Sequence, residues 1–346
     1  MHISTHTSLQ LWIFQQLLTH AVTSIDIVIT DHSYFGDLYS SEIIHLSPNV
    51  QHFKLYCFCS PILFQSDAPI FTLICSLHHL RGITLTDIQI PMSVAARLAS
   101  LPSLTTLKRL KILSSEVGFF TTVRFSNLKE FSMSVDDWSS STTVLSSMNC
   151  VFNALSVHRC SGREPLSALR DCIATLHPSF GSLSAIDLVD LMNSPYTDID
   201  VPDAIRPLLS CKRLRVVTLK LACLEVLDDS WLLEAAAAWP SLEVLSLAVY
   251  KSENPQMSFK GLVSLIRDLP KLQEIHLPLD MDTVDASLLD DVPIGHLRHL
   301  SIAHPRLAEE SLDVQESLRN MFPKLRFFMA SNQSTGVWTL EAPRPR

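Results

Sequence analysis

Along this chain an apolar residue is followed three positions later by a second, and two positions after that by a third. The first half carries this triplet as Val22-Ile25-Ile27, Val50-Phe53-Leu55, Leu80-Ile83-Leu85, Leu107-Leu110-Ile112, Leu128-Phe131-Met133 and Phe152-Leu155-Val157. The second half continues with Leu183-Ile186-Leu188, Leu214-Val217-Leu219, Leu242-Leu245-Leu247, Leu272-Ile275-Leu277, Leu297-Leu300-Ile302 and Leu325-Phe328-Ala330. One triplet means little in an apolar chain, so the spacing carries the argument. Successive first members lie about 21 to 31 residues apart, the length of one strand plus one helix or turn.

The last two apolar members stand two residues apart, which predicts a short strand with those side chains on one face and the intervening residues on the other. Between triplets the period becomes helical. Phe259, Leu262, Val263, Ile266 and Leu269 follow Ser258, and Leu312, Leu318 and Met321 follow Ser311, with both serines placed as N-caps. Pro48, Pro240, Pro270 and Pro323 each stand two residues ahead of a triplet, where proline stops the preceding helix. Neither element can bury its apolar side alone, so neighbouring repeats must stack. The pattern predicts a repeat domain of about twelve units over residues 21–331, followed by a tail at 332–346. Residues 1–20, with Leu9, Trp12, Ile13, Leu17 and Leu18, are expected to be the helical half of a truncated first repeat whose strand is missing.

The proline-led opening is clearest in Trp239-Pro240-Ser241-Leu242-Glu243-Val244-Leu245-Ser246-Leu247 and Leu269-Pro270-Lys271-Leu272-Gln273-Glu274-Ile275-His276-Leu277. It resembles intracellular leucine-rich-repeat proteins, especially fungal F-box proteins with degenerate repeats, and the resemblance covers nearly the whole chain. It implies an α/β leucine-rich-repeat solenoid of irregular repeats, a ribonuclease-inhibitor-like horseshoe with a concave parallel sheet and convex helices. It also implies a non-catalytic protein-interaction scaffold. In that family an F-box docks on a Skp-type adaptor while the repeats hold a substrate for ubiquitin transfer.

The segment before Val22 is too short for an F-box. The chain is therefore expected to be the substrate-recognition repeats of such a receptor, or a remnant of one, with a Skp-type adaptor as partner only if an F-box lies upstream. The alternatives are the repeat portion of an innate-immune-type sensor and a free-standing scaffold. Regular repeats place Asn or Cys three residues after the last leucine, and only Cys160 does so here, which predicts irregular loops and variable curvature.

With 47% apolar and 18% charged residues the chain has the material for a core. Its formal charge of −8 argues against a nucleic-acid partner, which would require clustered Lys and Arg. Apolar stretches such as 232–239 are too short for a bilayer span. No basic residues precede the Leu9 to Leu18 stretch, and the eight cysteines form no framework, so a reducing cytoplasmic or nuclear setting is expected.

Catalytic and metal chemistry finds little purchase. Cys57-x-Cys59 and His78-His79 lack the second spaced pair of a zinc site. The clusters Asp198, Asp200, Asp203 and Asp280, Asp282, Asp285 lack the turning glycine and terminal Glu of a calcium loop. Eight glycines form no phosphate-binding loop, and neither a G-x-S-x-G nor an H-E-x-x-H motif occurs. No catalytic, cofactor or metal site is expected, and no enzyme.

The positive expectation is a protein partner on the concave face, held by strand residues that alternate with the buried set. Early repeats present His52 and Lys54, then Arg109 and Lys111; middle repeats present Ala154, Ser156, Ala185, Asp187, Val216, Thr218, Val244 and Ser246. Late repeats present Glu274, His276, His299, Ser301, Phe327 and Met329. The binding candidates are Arg109, Lys111, Asp187, Thr218, Ser246, Glu274, His276, His299, Phe327 and Met329. The late residues are strongest, because exposed aromatic and Met side chains anchor interfaces.

Overall fold

Each of the twelve triplets ends on a β-strand of the computed structural model. The structure describes residues 2–5, 20–29, 47–57, 62–63, 69–86, 88–112, 117–120, 124–148, 150–161, 164–190, 201–221, 224–248, 255–280, 296–303, 321–325, 327–332 and 336–341. The chain divides into two compact units, Met1–Ser161 and Gly162–Arg346.

In the first unit the strands are β1 (His2–Thr5), β2 (Ser24–Ile29), β3 (His52–Cys57), β4 (Ile62–Leu63), β5 (Gly82–Thr86), β6 (Ile88–Gln89), β7 (Thr106–Ile112), β8 (Glu130–Val135) and β9 (Ala154–Arg159). They pair in parallel in the order β1-β2-β3-β5-β7-β8-β9, while the short β4 pairs with β6, which also touches β7. The helices are α1 (Pro69–Ser76), α2 (Met92–Ala99), α3 (Val117–Phe120) and α4 (Trp138–Ser147). Strand residues Ile25, Phe53, Leu55, Ile83 and Phe131 are buried, together with Phe71, Leu73, Val94 and Trp138 from the helices. The core is thus the helix-facing side of the sheet, and the alternate strand residues stay accessible.

The second unit contains β10 (Ala185–Asp190), β11 (Val216–Lys220), β12 (Val244–Ala248), β13 (Glu274–Pro278), β14 (His299–Ala303), β15 (Phe327–Asn332) and β16 (Gly336–Glu341). Its helices are α5 (Leu166–Ala174), α6 (Val201–Ile205), α7 (Asp229–Ala238) and α8 (Phe259–Asp268). Strands β10 to β15 run parallel in sequence order, and β16 returns antiparallel to β15. Pro240 and Pro270 lie in turns just beyond α7 and α8, as the sequence predicts. Both units repeat a strand, turn and helix in register, which is the leucine-rich-repeat α/β solenoid fold.

Two terminal expectations change. Residues 2–5 form a strand, with Ile3 opposite Ile27, where only a helical half-repeat was expected; residues 6–19, including Leu9 to Leu18, lie outside the described residues. One apolar residue in four is too little to register as a triplet. Likewise residues 336–341, expected as tail, form a strand. Val337, Trp338 and Thr339 favour strand geometry, and the short link from β15 permits only an antiparallel return. Leu312 and Leu318 also lie outside the described residues.

The repeats are tied by a recurring main-chain contact. The carbonyl of the residue just after the first apolar position accepts two N–H groups from the next repeat. In the first unit, Thr23 O accepts from Gln51 N at 2.8 Å and His52 N at 3.0 Å, and Gln51 O accepts from Arg81 N at 2.7 Å and Gly82 N at 3.0 Å. Arg81, Thr105 and Lys129 continue the series. In the second unit Ser184, Arg215, Glu243 and Gln273 do the same. Asparagine side chains add a second tie in two lead-in turns, Asn49 Nδ2 donating to His20 O and Asn127 Nδ2 to Pro102 O, both at 2.9 Å.

This ladder corrects the fourth triplet. Thr105 carries the accepting carbonyl, so the first apolar position is Leu104 and the repeat is Leu104-Leu107-Leu110. Leu107 pairs with Ile83 and Phe131, Leu110 with Met133, and an extra residue is accommodated between them. That bulge holds Arg109 at φ 59°, a left-handed conformation disfavoured for a side-chain-bearing residue. The spacings from Leu80 and to Leu128 are then both 24 residues, and the outlying 21-residue interval disappears. Arg109→Gly is expected to leave urea stability unchanged or raise it by up to about 1 kcal/mol. Arg109→Val, β-branched in the same conformation, should lower it by about 1–2 kcal/mol; a neutral valine variant would contradict the bulge.

In the second unit, capping crosses from one repeat to the next. Asp228 caps α7 by accepting from Trp231 N at 3.0 Å. Asp229 instead reaches the start of α8, accepting from Ser258 N at 2.8 Å and Ser258 Oγ at 2.5 Å. Ser258 Oγ in turn accepts from Gly261 N at 3.1 Å, the cap expected from the sequence. A Cβ at Gly261 would run into the Asp229 carboxylate. Gly261→Ala should therefore destabilise by about 1–3 kcal/mol despite alanine's better helix propensity. Asp229→Ala should cost about 1 kcal/mol. Combined in a thermal-unfolding cycle, the two should cost less than their sum, because the second change removes the first one's clash; strict additivity would refute this account.

Candidate protein-binding surface

Parallel pairing in register turns alternate strand positions of the second unit into two rows. One runs Ala185, Val216, Val244, Glu274, His299, Phe327; the other runs Asp187, Thr218, Ser246, His276, Ser301, Met329. Neighbouring positions in a row stand about 4.8 Å apart, the strand spacing. Eight of the ten sequence candidates, Asp187, Thr218, Ser246, Glu274, His276, His299, Phe327 and Met329, fall in these rows. For Phe327 and Met329 the structure describes the backbone alone.

Arg109 and Lys111 do not occupy the predicted positions. The bulge moves Arg109 out of alternation, and Lys111 pairs with Ser134, one step beyond the expected row. Thr106 and Lys108 take the places assigned to them, Lys108 opposite Thr84. Sequence reading missed Lys108, whose Nζ lies 2.7 Å from Glu130 Oε2. The short 21-residue interval was the signal that could have found it. In the same unit Lys54 Nζ lies 3.3 Å from Asp26 Oδ2, joining adjacent strands.

His276 sits at the centre of the second unit's polar cluster. Burial holds its imidazole below the ordinary value, and the Lys220 ammonium on β11 pushes it the same way. At neutral pH its ring therefore offers one donor and one acceptor. Beside it, His299 Nδ1 lies 3.1 Å from Glu274 Oε1. Both partners of that pair are about half exposed, so the contact orients the side chains more than it stabilises the fold. Toward β12, β11 and β10 the rows become small, with Ser246, Val216, Thr218 and Ala185, and end on the Asp187 carboxyl group. The surface therefore offers a short polar cluster beside a low, smooth strip.

Among the described residues no three His, Cys, Asp or Glu side chains could share a metal ion. His78 and His79 are exposed in a turn, while Cys59, Asp198, Asp200, Asp282 and Asp285 lie outside the described residues. Asp203 lies in the first turn of α6, 3.5 Å from Arg206 Nε, and Asp280 N donates to Met257 O. Three buried thiols are poorly suited to nucleophilic work: burial pushes Cys211 up to about 12 and raises Cys75 and Cys150. Among the described residues no helix is long and apolar enough to cross a membrane.

No protein-family model matches the sequence, and no curated protein matches it. Among solved structures the chain is similar to an internalin, inlF, from Listeria monocytogenes, at 14% identity over 92% of this chain and 89% of that one, with a TM-score of 0.40. It is also similar to TLR13 from a complex with ssRNA13, at 16% identity over 92% of this chain, with a TM-score of 0.45. The chain spans 45% of the length of that TLR13 chain. The repeat register itself defines the fold of the chain.

The His276 environment has a measurable consequence. A folded-state value below about 6.5 means that the folded protein binds fewer protons than the unfolded chain in mildly acidic solution. This contribution to stability is complete above about pH 6.5 and is lost as pH falls through the folded value. His276→Gln should therefore flatten the fall in urea midpoint between about pH 7 and pH 5. An undiminished slope in the variant would show that other groups govern the acid limb.

Proposed function

We propose that this chain is a non-catalytic protein-interaction scaffold whose second unit holds an extended segment of a partner protein across the open strand face. The observation that supports this reading most is the pair of in-register rows, which brings Ser246, Glu274, His276 and His299 from three adjacent strands onto one surface. A neutral, half-buried His276 beside the Glu274–His299 pair provides directional donors and acceptors suited to a peptide backbone. Phe327 and Met329, at the next register positions, are of the residue types that anchor interfaces.

Within this reading, the repeat style favours the substrate-recognition portion of an F-box-type ubiquitin-ligase receptor. The substrate would lie on the strand face, and a Skp-type adaptor would be recruited only through an F-box carried elsewhere in the protein.

A photo-crosslinking amino acid placed at Ser246 or His299 of the full chain should trap a discrete protein partner in cells, whereas the exposed helix position Ala237 should not. His276→Ala combined with Glu274→Ala should weaken recovery of that partner by about tenfold or more, the scale of a binding hot spot. Equal trapping at all three positions would remove the strand face as the binding site. Absence of a Skp-type adaptor from complexes of the longest natural transcript product would remove the ligase reading while leaving the scaffold intact.

A further inference from the structure

The lead-in turns of the first unit form a groove of about 350 Å³, distinct from the strand face and lined by residues that include His20, Thr23, Gln51, His79, Arg81 and Ser103. Three of its residues, Thr23, Gln51 and Arg81, carry ladder carbonyls. Thr23 O, Gln51 O and Arg81 O each already accept two N–H groups, and His20 O accepts from Asn49 Nδ2. These four main-chain acceptors are therefore engaged. Among the described lining residues the side chains with donors to offer are one guanidinium (Arg81), two imidazoles (His20, His79), the Gln51 amide and two hydroxyls (Thr23, Ser103), the Asn49 amide already donating to His20 O. Among the described residues no lining residue is Asp or Glu.

The second unit supplies an internal comparison. Arg215 stands at the same ladder position as Arg81, but Glu243 on the next repeat neutralises it with bidentate contacts of 2.8 and 2.9 Å. The ladder neighbours of Arg81 are Gln51 and Thr105, both neutral. Among the described residues Arg81 has no carboxylate within ion-pair distance. The same repeat architecture thus presents a satisfied arginine in one unit and an available one in the other.

We propose that this groove binds an oxyanion, a phosphoryl or carboxylate group, carried on an extended acidic segment of a protein partner. Arg81 would engage it through its planar fork, with His79 and Gln51 donating from either side. A nucleic acid fits less well, because among the described residues the groove contains one guanidinium, no lysine and no aromatic stacking platform other than imidazole, on a chain with formal charge −8.

The test uses the full chain and an immobilised degenerate peptide library prepared in serine, phosphoserine and glutamate forms at its central position, with inorganic phosphate and a single-stranded RNA oligonucleotide as separate probes. The phosphoserine or glutamate form should be enriched over serine, with enrichment reduced by added salt. Arg81→Glu should abolish at least about tenfold of that enrichment, as expected for loss of a charge-assisted hydrogen bond. Arg81→Lys should retain part of it, and Lys271→Glu in the second unit should leave it unchanged; urea midpoints matching the parent chain establish that each variant is folded. Preference for the phosphoserine or the glutamate form identifies which oxyanion the groove takes. Enrichment indifferent to Arg81→Glu, no enrichment of either acidic form, Arg81-dependent binding of inorganic phosphate without any peptide, or tighter Arg81-dependent binding of RNA would each overturn the proposal. None of these outcomes bears on crosslinking at Ser246, so the two readings stand or fall separately.

Discussion

Everything regular in this protein depends on one carbonyl oxygen per repeat accepting two main-chain N–H groups from the next. The contact recurs five times in the first unit and four times in the second among the described residues, with N–O distances between 2.7 and 3.1 Å. Because it uses main-chain atoms, it places no demand on side-chain identity, and the sequence at that position runs through Thr, Gln, Arg, Lys, Ser and Glu. It does fix where each strand begins relative to its neighbour. A slip of one residue would move the apolar strand positions to the open face, so fixing the start also fixes the core. Stability in such an array is approximately a sum of nearest-neighbour terms, which makes the ladder the repeating unit of cohesion.

This tolerance accounts for which parts of the fold were legible in the sequence. A triplet such as Leu242-Leu245-Leu247 announces its strand because the ladder leaves only the apolar positions constrained. The missing asparagines three residues after the last leucine predict irregular loops and variable curvature; the repeats are held at the opposite end of the strand, by groups that leave no mark in the sequence. Leu107-Leu110-Ile112 satisfied the template and was still off register, since the bulge at Arg109 adds a residue inside the strand. Its left-handed φ could have been anticipated from a glycine, but the position holds arginine. The two terminal strands escaped for a related reason: β1 contributes a single apolar residue, and β16 runs antiparallel, outside the repeat.

The binding surface was legible as a set of positions and opaque as chemistry. Alternation identifies Asp187, Thr218, Ser246 and His276 as one row once strand register is known. Nothing in the sequence brings Lys220 to bear on His276, because the two belong to different repeats and meet through the intervening strand. The influence of a lysine on a histidine in a solenoid is set by repeat phase, and sequence distance conceals it. The same holds for the ion pairs Asp26–Lys54, Lys108–Glu130 and Arg215–Glu243, each joining consecutive repeats at equal or adjacent register positions.

Repeat phase also explains how one backbone plan can yield surfaces of different character. The ladder dictates that residues just after the first apolar position form a column along the lead-in edge, whatever their side chains are. In the second unit that column carries Arg215 and Glu243 side by side, and they satisfy each other. In the first it carries Thr23, Gln51, Arg81, Thr105 and Lys129, and the neighbours of the Arg81 guanidinium in the column, Gln51 and Thr105, are neutral. The difference costs the fold little, because an exposed ion pair contributes at most about 1 kcal/mol. A column that is structurally indifferent to its side chains is free to acquire binding chemistry without disturbing the core. The buried triplets and the capping relay through Asp229, Ser258 and Gly261 have no such freedom, since each substitution there must be answered by a neighbouring repeat. The open strand rows and the lead-in edge are therefore places where this architecture tolerates chemical variation.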